Sequence, residues 1–507
     1  MNAFLQTLVF CCVVVTSVYA QPMNVIWQRE GVTDSSHYAG IMPLGDQNDD
    51  GYADFLVWAY GVTRPGGTQE GYIEFFHGGN PPDTVPYWTK RANPQTDYIL
   101  TDAHTNADLN GDGYKDFMLC FEQAEDYHIV RNEIYYGGPQ GDTLPDLVFH
   151  TGWHLYPRFM GDFNGDGFED LYFYNNYEPN NDYAEIFYGG SPMDSLPDWI
   201  RHSPAGIPQE VLALGFGDID GDHFADFITN PLSPQPSFRI FRGSSQPDTF
   251  PDQIWPNFDA IQPAVINDLN GDGRAEVCMP HDSLIDVYFG GDSLPHAANA
   301  TLVFAAFALD IHSAGDINGD GFNDFFARDD LAGWGGYASL YLGHPDLYRY
   351  PLLSVTGHQT PLNLPGVSMV TGLGDVNGDG VDDFGVGGIS GNNDGQRGKA
   401  VIVAGNRDWH AAADDPVILP PSSFRLSVFP NPFNGTATIN LTLPDFTELV
   451  DLNLYNIAGQ SVYHQVVKVT SLQMHLRLNA TDLSTGVYFL RATARKQSAT
   501  TKLLLLK

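Results

Sequence analysis

Basic residues, cysteine and known catalytic motifs are all scarce in this sequence. Lys and Arg together number 24 against 62 Asp and Glu, which gives the 507 residues a formal net charge of −38. Such a charge repels nucleic-acid phosphates and anionic lipid headgroups, so we expect neither as a partner. No HExxH, GxSxG or CxxC pattern occurs, and the 16 His are scattered. These absences argue against a catalytic function.

Long apolar segments are absent except at the N-terminus, where residues 1–20 are MNAFLQTLVFCCVVVTSVYA. This run is too short for a comfortable membrane span, and it ends in Val18-Tyr19-Ala20, which suits a signal peptidase. We therefore expect residues 1–20 to be a cleaved signal peptide. A short retained anchor is the alternative, because no Lys or Arg precedes the run. No later segment is apolar enough to predict a transmembrane span in the mature chain.

Only two cysteines, Cys120 and Cys278, follow the predicted signal peptide. Each lies in an apolar run of the kind that forms a buried strand. We therefore expect two buried free thiols rather than a disulfide.

What the sequence contains is typical of a packed protein with many turns. Hydrophobic residues make up 43% of the chain and aromatic residues 13%, with 53 Gly and 34 Pro. Apolar residues alternate in short runs bounded by Gly, Pro, Asn and Asp, and no window keeps a helical spacing. This pattern predicts an all-β fold.

An acidic, glycine-containing nonamer occurs seven times, at intervals of 48 to 62 residues. The copies are DQNDDGYAD at 46, DLNGDGYKD at 108, DFNGDGFED at 162, DIDGDHFAD at 218, DLNGDGRAE at 268, DINGDGFND at 316 and DVNGDGVDD at 375. An apolar run precedes each copy and an apolar run follows it, and most copies are followed by two further strand-like runs. Each unit thus predicts about four strands in about 50 residues, which is the size of a propeller blade.

The two ends of this array complement each other. The seventh unit has three predicted strands, and RDWHAAADDP stands where its fourth is expected. NVIWQRE, at residues 24–30, resembles the fourth strands of other units and precedes the first unit. We therefore predict that residues 24–30 complete the seventh unit, which would leave no open sheet edge in a ring.

The nonamer and its surrounding strands resemble the FG-GAP repeat, the blade of the integrin α-chain propeller. The resemblance implies that residues 21–413 form a seven-bladed β-propeller whose acidic loops join the first two strands of each blade and bind Ca²⁺ structurally. A loop of the form D-x-[DN]-x-D-G-x-x-D offers side-chain oxygens at positions 1, 3, 5 and 9 and a carbonyl at position 7. This spacing is similar to the first half of an EF-hand loop, and Ca²⁺ takes about 6 to 8 such oxygens.

The predicted cofactor is therefore Ca²⁺ at up to seven structural sites. The predicted ligands are Asp46, Asn48, Asp50, Tyr52, Asp54, Asp108, Asn110, Asp112, Tyr114, Asp116, Asp162, Asn164, Asp166, Phe168, Asp170, Asp218, Asp220, Asp222, Phe224, Asp226, Asp268, Asn270, Asp272, Arg274, Glu276, Asp316, Asn318, Asp320, Phe322, Asp324, Asp375, Asn377, Asp379, Val381 and Asp383. Three copies depart from the pattern, at Asp49, His223 and Glu276. Acidic turns that only solvate hairpins are the alternative, although solvation alone would not fix oxygens at positions 1, 3, 5 and 9.

A Pro-rich linker, residues 414–423, ends the repeats. Residues 424–507 then alternate in strands that predict a small Ig-like β-sandwich. They resemble the type A C-terminal sorting domain of type IX (Por) secretion cargo, on PNPF at 430–433, LYNIAGQ at 454–460, LSTGVY at 483–488 and the final strand at 502–507. The resemblance implies recognition by the type IX secretion machinery and a secreted or cell-surface location. An ordinary Ig-like domain is the alternative.

The second-to-third strand hairpins of the predicted blades lie opposite the acidic loops and carry aromatic and polar residues. We predict a ligand face there, formed by Trp58, Tyr60, Arg64, Tyr174, Tyr177, Trp334 and Tyr337. The alternative is that these rings pack between blades. Trp27, Trp88, Trp199 and Trp255 recur at matching fourth-strand positions and are predicted to be structural.

The sequence as a whole predicts a Ca²⁺-binding, secreted or surface-attached propeller that acts in adhesion or binds an extracellular protein or carbohydrate. A structural surface scaffold without a specific ligand is the second hypothesis. A polysaccharide-active enzyme is the third.

Overall fold

A computed structural model describes the chain in two compact units, residues 1–411 and 412–507. The described residues are 23–31, 37–63, 69–91, 98–123, 128–139, 143–150, 155–175, 182–204, 210–230, 237–256, 263–281, 283–304, 310–329, 336–356, 362, 364, 366–388, 398–410, 425–442, 449–457, 459–468, 473–481, 483–494 and 497–506. Throughout them the regular structure is β-strand, as the sequence predicts. The predicted signal peptide and the 414–423 linker lie outside these residues.

The first unit contains 28 of the strands. They are β1 (Asn24–Glu30), β2 (His37–Gly45), β3 (Asp54–Thr63), β4 (Gln69–Phe76), β5 (Trp88–Arg91), β6 (Tyr98–Ala107), β7 (Asp116–Gln123), β8 (His128–Tyr135), β9 (Leu147–His150), β10 (Leu155–Gly161), β11 (Asp170–Asn175), β12 (Tyr183–Phe187), β13 (Trp199–His202), β14 (Ala213–Gly217), β15 (Asp226–Thr229), β16 (Ser237–Phe241), β17 (Gln253–Pro256), β18 (Ala264–Ile266), β19 (Glu276–His281), β20 (Leu284–Tyr288), β21 (Ala300–Val303), β22 (Asp310–Gly315), β23 (Asp324–Asp329), β24 (Tyr337–Tyr341), β25 (Leu353–Thr356), β26 (Met369–Gly374), β27 (Asp383–Gly388) and β28 (Lys399–Ala404).

These strands form seven four-stranded antiparallel sheets. Sheets 1 to 6 each take four consecutive strands, in the order β2 to β5, β6 to β9, β10 to β13, β14 to β17, β18 to β21 and β22 to β25. Sheet 7 has the order β1-β28-β27-β26. The prediction of four strands per unit is therefore confirmed in every unit.

Strand β1 closes sheet 7 as predicted. It runs antiparallel to β28, with pairs from Asn24 and Ala404 to Glu30 and Lys399. The apolar run Val25-Ile26-Trp27 of β1 explains this position, because Val25 packs against the cluster between sheets 6 and 7 and Ile26 and Trp27 belong to the cluster between sheets 7 and 1. The first and last strands of the repeat array thus lie side by side.

Consecutive sheets pack face to face, and seven hydrophobic clusters fill the spaces between them. Each cluster combines side chains of two consecutive sheets, such as Phe75 of sheet 1 with Phe117 of sheet 2. The cluster around Trp27 combines sheet 7 with sheet 1, since it contains Ile402 and Leu373 together with Ile41 and Phe55. The first strands of consecutive sheets also touch, and β26 of sheet 7 touches β2 of sheet 1. Both faces of each sheet are therefore covered.

The predicted structural residues occupy these clusters. Trp27, Trp199 and Trp255 are buried, and the partly buried Trp88 packs between sheets 1 and 2. The indole of Trp199 donates to the carbonyl of Asp248 in the next sheet at 2.8 Å. The structural role predicted for these four residues is confirmed. Cys120 and Cys278 are both buried and are not joined by a disulfide, as predicted.

Replacing Trp27 with alanine should destabilise the first unit by roughly 3–5 kcal/mol, the usual cost of deleting a buried tryptophan. Its ring lies 4.9 Å from Phe55 and 5.1 Å from Phe76 between centroids, and its Nε1 donates to the carbonyl of Asp83 at 2.8 Å. Urea unfolding in the presence of Ca²⁺ measures the change. The control is Ile200→Ala on β13, which should cost less than about 1 kcal/mol because Ile200 is 45% exposed. Equal effects of the two changes would contradict the closing role of β1.

The second unit contains β29 (Arg425–Asn434), β30 (Thr436–Thr442), β31 (Leu449–Asn456), β32 (Ser461–Lys468), β33 (Gln473–Asn479), β34 (Gly486–Ala494) and β35 (Gln497–Leu505). Their order is β32-β31-β34-β35-β29-β30-β33, and β29 joins the two halves by pairing with β30 and β35. Buried side chains of both halves, including Ile439 and Leu478 from one and Leu454 and Leu503 from the other, form a single core.

Candidate metal centres

In sheets 1 to 6 the acidic loop joins the first strand to the second strand, and in sheet 7, where β1 is counted as the fourth strand, it joins β26 to β27. Position 9 of each loop is the first residue of that second strand, namely Asp54, Asp116, Asp170, Asp226, Glu276, Asp324 and Asp383. Eight residues separate the two strands in six of the sheets and nine in sheet 5. The predicted placement of the nonamer at a β-hairpin, with position 9 entering a strand, is confirmed.

Within a loop, carboxylate and amide oxygens turn inward onto the main chain. In the second loop, Asp108 Oδ1 accepts from the amides of Gly111 (2.8 Å) and Asp112 (3.1 Å), and its Oδ2 accepts from Gly113 (3.0 Å). Asn110 Oδ1 accepts from the amide of Asp112 at 3.0 Å, and Asp112 Oδ1 accepts from that of Tyr114 at 2.9 Å. Closely similar bonds recur in the other loops. Side chains at positions 1, 3 and 5 are thereby held around one point.

The position-9 side chain is fully buried in all seven loops. Asp116 Oδ2 accepts from the amide of Leu109 at 2.7 Å, and its Oδ1 accepts from the amide of Gly137, just after the third strand, at 2.8 Å. The other position-9 aspartates use the equivalent two amides. Glu276 accepts from the amide of Leu269 and from Asn270 Nδ2 instead. Each position-9 carboxylate therefore fastens the loop to its own sheet.

Without a cation these buried carboxyl groups carry raised pKa values. Burial is the main cause, and the neighbouring carboxylates of the same loop add to it, while the two main-chain donors lower the pKa in part. The pKa rises to about 7 for Asp116, Asp170, Asp226 and Asp383 and to about 8 for Glu276 and Asp324, and it is also raised for Asp54. The loops thus concentrate negative charge that a bound cation would stabilise.

Neighbouring loops are bonded to one another. The position-8 amide of one loop donates to the position-1 carbonyl of the preceding loop, as between Glu169 and Asp108 at 3.1 Å and between Ala225 and Asp162 at 2.7 Å. Ala53 of the first loop donates in the same way to Asp375 of the seventh at 2.8 Å. The remaining links are Ala275 to Asp218, Asp382 to Asp316, Gln47 Nε2 to Lys115 and Asn323 Nδ2 to Asp268. Every loop is therefore linked to two others.

Side-chain packing repeats the same connections. The position-7 side chain of one loop lies over position 4 of the preceding loop, as Phe224 lies over Gly165 and Tyr52 over Gly378. Gly165 has a φ of +75°, and a Cβ there would collide with the Phe224 ring, so glycine is required for both reasons. The first loop has Asp49 instead of glycine at position 4, with a φ of 62°. The hydroxyl of Tyr114, the position-7 residue of the second loop, donates to Asp49 Oδ2 at 2.5 Å.

The donor chemistry of these loops fits a hard divalent cation. In the fourth and fifth loops three carboxylates have oxygens within 4.8 Å of one another, Asp218 with Asp220 and Asp222, and Asp268 with Asp272 and Glu276. In four of the other loops the position-3 asparagine donates through Nδ2 to the position-5 carboxylate, as Asn110 does to Asp112 at 2.9 Å. In the seventh loop Asn377 Nδ2 donates to Asp383 instead. All-oxygen donor sets of this kind suit Ca²⁺ rather than Zn²⁺.

The predicted ligand-face residues have different outcomes. Tyr174 is only 1% exposed and packs between sheets 3 and 4, with its hydroxyl 3.5 Å from Asp182 Oδ2, so the prediction that it faces a ligand is wrong. Trp58 is partly buried against the cluster between sheets 1 and 2. Tyr60 and Tyr337 lie in β3 and β24, where the structure describes the main chain alone. Arg64, Tyr177 and Trp334 lie outside the described residues.

The sequence interpretation missed the glycine that follows each third strand. In every sheet except sheet 5 the amide of this glycine donates to the position-9 carboxylate. A Cβ on Gly189 would meet the carbonyl oxygens of Glu169 and Leu109. The amide of the next residue, Gly190, donates to the carbonyl of Leu109 in the preceding loop at 2.7 Å. The recurrence of glycine after all seven third-strand runs is the signal that could have identified it.

In the second unit two of the predicted sorting motifs lie in defined elements of the fold. The 454–460 segment is a hairpin turn in which the amide of Asn456 donates to Gln460 at 3.0 Å and that of Gly459 donates to Asn456 at 2.9 Å. Phe433 is buried, and its carbonyl accepts from the amide of Leu506 at 2.9 Å. The final strand β35 thus lies beside the segment that contains the PNPF motif.

These features define an all-β protein with a separate C-terminal unit. Residues 427–506 match the family model described as a secretion system C-terminal sorting domain, and the second unit therefore contains a type IX sorting domain. The match indicates export by the type IX system, interaction with its machinery and a secreted or cell-surface location. The search of curated proteins finds no match to the chain. Among the described residues, none form a helix that is long and apolar enough to cross a membrane.

Proposed function

We propose that the first unit is a closed seven-bladed propeller of the FG-GAP type that binds Ca²⁺ and presents a ligand-binding surface outside the cell. Three sets of contacts support the closed arrangement: the hydrophobic cluster between sheets 7 and 1, the hydrogen bond from Ala53 to Asp375, and the packing of Tyr52 on Gly378. In this proposal each sheet is one blade, and β1 makes the joint between the first and last blades.

Calcium would be held by the side chains at positions 1, 3, 5 and 9, with the position-7 carbonyl as a further donor. In the second loop these residues are Asp108, Asn110, Asp112, Asp116 and Tyr114. The inward-turned side chains and the raised pKa values of the buried position-9 groups support this assignment. The ion would supply positive charge and fix the turn, so its role would be structural.

One observation supports a binding role for the other end of the sheets. The acidic connections are all eight or nine residues long, whereas the second-to-third strand connections range from two residues, 282–283, to ten, 389–398. In an antiparallel sheet these connections lie opposite the acidic loops. Variable loops on a constant scaffold are where binding residues usually occur, so we assign the ligand, an extracellular protein or a carbohydrate, to this end. A structural scaffold without a ligand is the second candidate.

Arrays of glycans and matrix proteins, probed with the Ca²⁺-loaded chain, test this assignment. We expect a ligand whose affinity falls at least about tenfold on Trp334→Ala, because contact aromatics typically contribute about 2 kcal/mol or more. The matched control is Val85→Ala, an exposed apolar residue between the third and fourth strands of sheet 1, at the acidic-loop end. Absence of any ligand for the folded, loaded chain would favour the scaffold. An equal loss of ligand affinity in both variants would contradict the assignment of the ligand to the second-to-third strand connections.

A further inference from the structure

The fourth acidic loop differs from the other six in the number of carboxylates at its predicted ligand positions. Position 3 is Asp220, whereas every other loop has asparagine there. Asp218, Asp220 and Asp222 come together with oxygens within 4.8 Å of one another. Three carboxylates so close to one another repel strongly unless a positive charge lies among them.

A side chain of the protein supplies such a charge. Arg242 forms an ion pair with Asp220, and both side chains are about six-sevenths buried, at 14% and 15% exposed. The same guanidinium donates through Nη2 to the carbonyls of Gly291 (3.1 Å) and Asp292 (2.9 Å) in sheet 5. Arg242 is therefore held between the fourth loop and the next sheet, and its guanidinium pairs with Oδ2 of Asp220, while Oδ1 of the same carboxylate is buried without a hydrogen-bond partner among the described residues.

The other units lack both members of this pair. Arg242 directly precedes the glycine after the third strand, and the equivalent residues elsewhere are His77, Tyr136, Tyr188, Phe289, Leu342 and Ala404. The loop with the additional carboxylate is thus in the unit with arginine at this position. A chance surface arginine would not be expected to coincide with the additional negative charge.

A further arginine and a histidine lie at the same loop. Arg274, at position 7 of the fifth loop, lies over Gly221 at position 4 of the fourth loop. In the second, third and fifth loops a phenylalanine lies over the equivalent glycine. His223 replaces the glycine of position 6 at a φ of 74°, and its Nδ1 lies 3.8 Å from Asp218 Oδ2. The donor set of this loop is therefore flanked by two guanidinium groups, those of Arg242 and Arg274, which would repel a divalent cation.

We propose that Arg242 is the resident cation of the fourth loop and that the protein binds six Ca²⁺ ions rather than seven. This inference rests on the proposed function, because it applies only if the other loops bind Ca²⁺. A Ca²⁺ ion needs about 6 to 8 oxygen ligands, and the ion pair takes Asp220 Oδ2 from that set and places a positive charge beside the remaining oxygens. The guanidinium replaces the metal, and the fourth loop is ordered without it.

The test counts bound ions on the full chain. Native mass spectrometry and equilibrium dialysis against Ca²⁺ should give six ions for the unchanged protein. Arg242→Tyr, which introduces the residue type found at Tyr188, should give seven, because it frees Asp220 and removes the competing charge. Arg242→Phe, which introduces the residue type found at Phe289, is a second variant with the same expected count.

Arg407→Gln is the matched control. Arg407 also reaches the acidic loops, but it donates to the main-chain carbonyls of Asp379 and Gly380, so its loss should leave the count at six. A count of seven for the unchanged chain would overturn the role of Arg242 and leave Ca²⁺ binding intact. Six ions in both folded Arg242 variants would also overturn it. A count of zero would instead refute the proposed function.

Discussion

In excess EGTA the melting temperature of the first unit should fall by an amount on the order of 20 °C. One saturated site contributes about 2.7 kcal/mol at a free ion concentration of a hundred times Kd. A change of 1 kcal/mol in unfolding free energy moves the melting midpoint of a large domain by about 2 °C. Four occupied sites would therefore account for the expected fall. The physical reason is the repulsion among the loop carboxylates, which include the buried position-9 groups such as Asp116.

Differential scanning calorimetry with Ca²⁺, with EGTA and after Ca²⁺ is restored measures this effect. Mg²⁺ should restore it poorly, because it demands a smaller and more regular shell of oxygens. Asp112→Asn should reduce the Ca²⁺-dependent shift, while Asp194→Asn, an exposed carboxylate outside the loops, should not. A midpoint that is unchanged by EGTA would contradict the assignment of the loops to Ca²⁺.

Deletion of residues 422–507 should abolish delivery to the cell surface or the medium and leave the protein in the periplasm. The reason is that residues 427–506 match the sorting domain through which type IX cargo meets its secretion machinery. Fractionation and protease accessibility of intact cells measure the location. Surface delivery of the truncated chain at the level of the full chain would contradict the sorting role.

Two point variants test whether delivery requires the second unit to be folded or requires only its amino-acid sequence. Leu454 is fully buried in the core of the second unit, so Leu454→Asp should unfold that unit and block delivery as the deletion does. Gln465→Glu adds a negative charge at an exposed position of β32 and should be delivered normally. Normal delivery of Leu454→Asp would show that the fold of the second unit is not needed.

Much of the fold could be predicted because the repeat gives the same signal seven times. The period-2 runs predict strands, and the unmatched run at residues 24–30 predicts the strand that completes sheet 7. The exposure of single side chains could not be predicted in this way. Tyr174 lies in a strand whose two faces are both covered by neighbouring sheets, so alternation along the strand does not distinguish a buried face from an exposed one.

In the candidate metal centres, too, some contacts could not be predicted from the sequence. The spacing of the nonamer predicts which side chains carry oxygens, but it cannot show that the amides of Leu109 and Gly137 already hold Asp116. Nor can it show that Arg242 faces Asp220, since the two residues come from different strand ends and meet only when the sheet forms. Contacts between neighbouring loops depend on residues about one repeat apart, which no local pattern contains.

The pairing of β1 with β28 also has a consequence for folding. A ribosome releases the chain N-terminus first, so Asn24 emerges long before its partner Ala404. Until the last repeat has emerged, β1 has no strand to pair with and the indole of Trp27 has only half of its burial site. Formation of the complete first unit must therefore wait for the end of the repeat array, and a chain truncated within sheet 7 would expose an unpaired strand at each end, where association with another chain becomes the competing reaction.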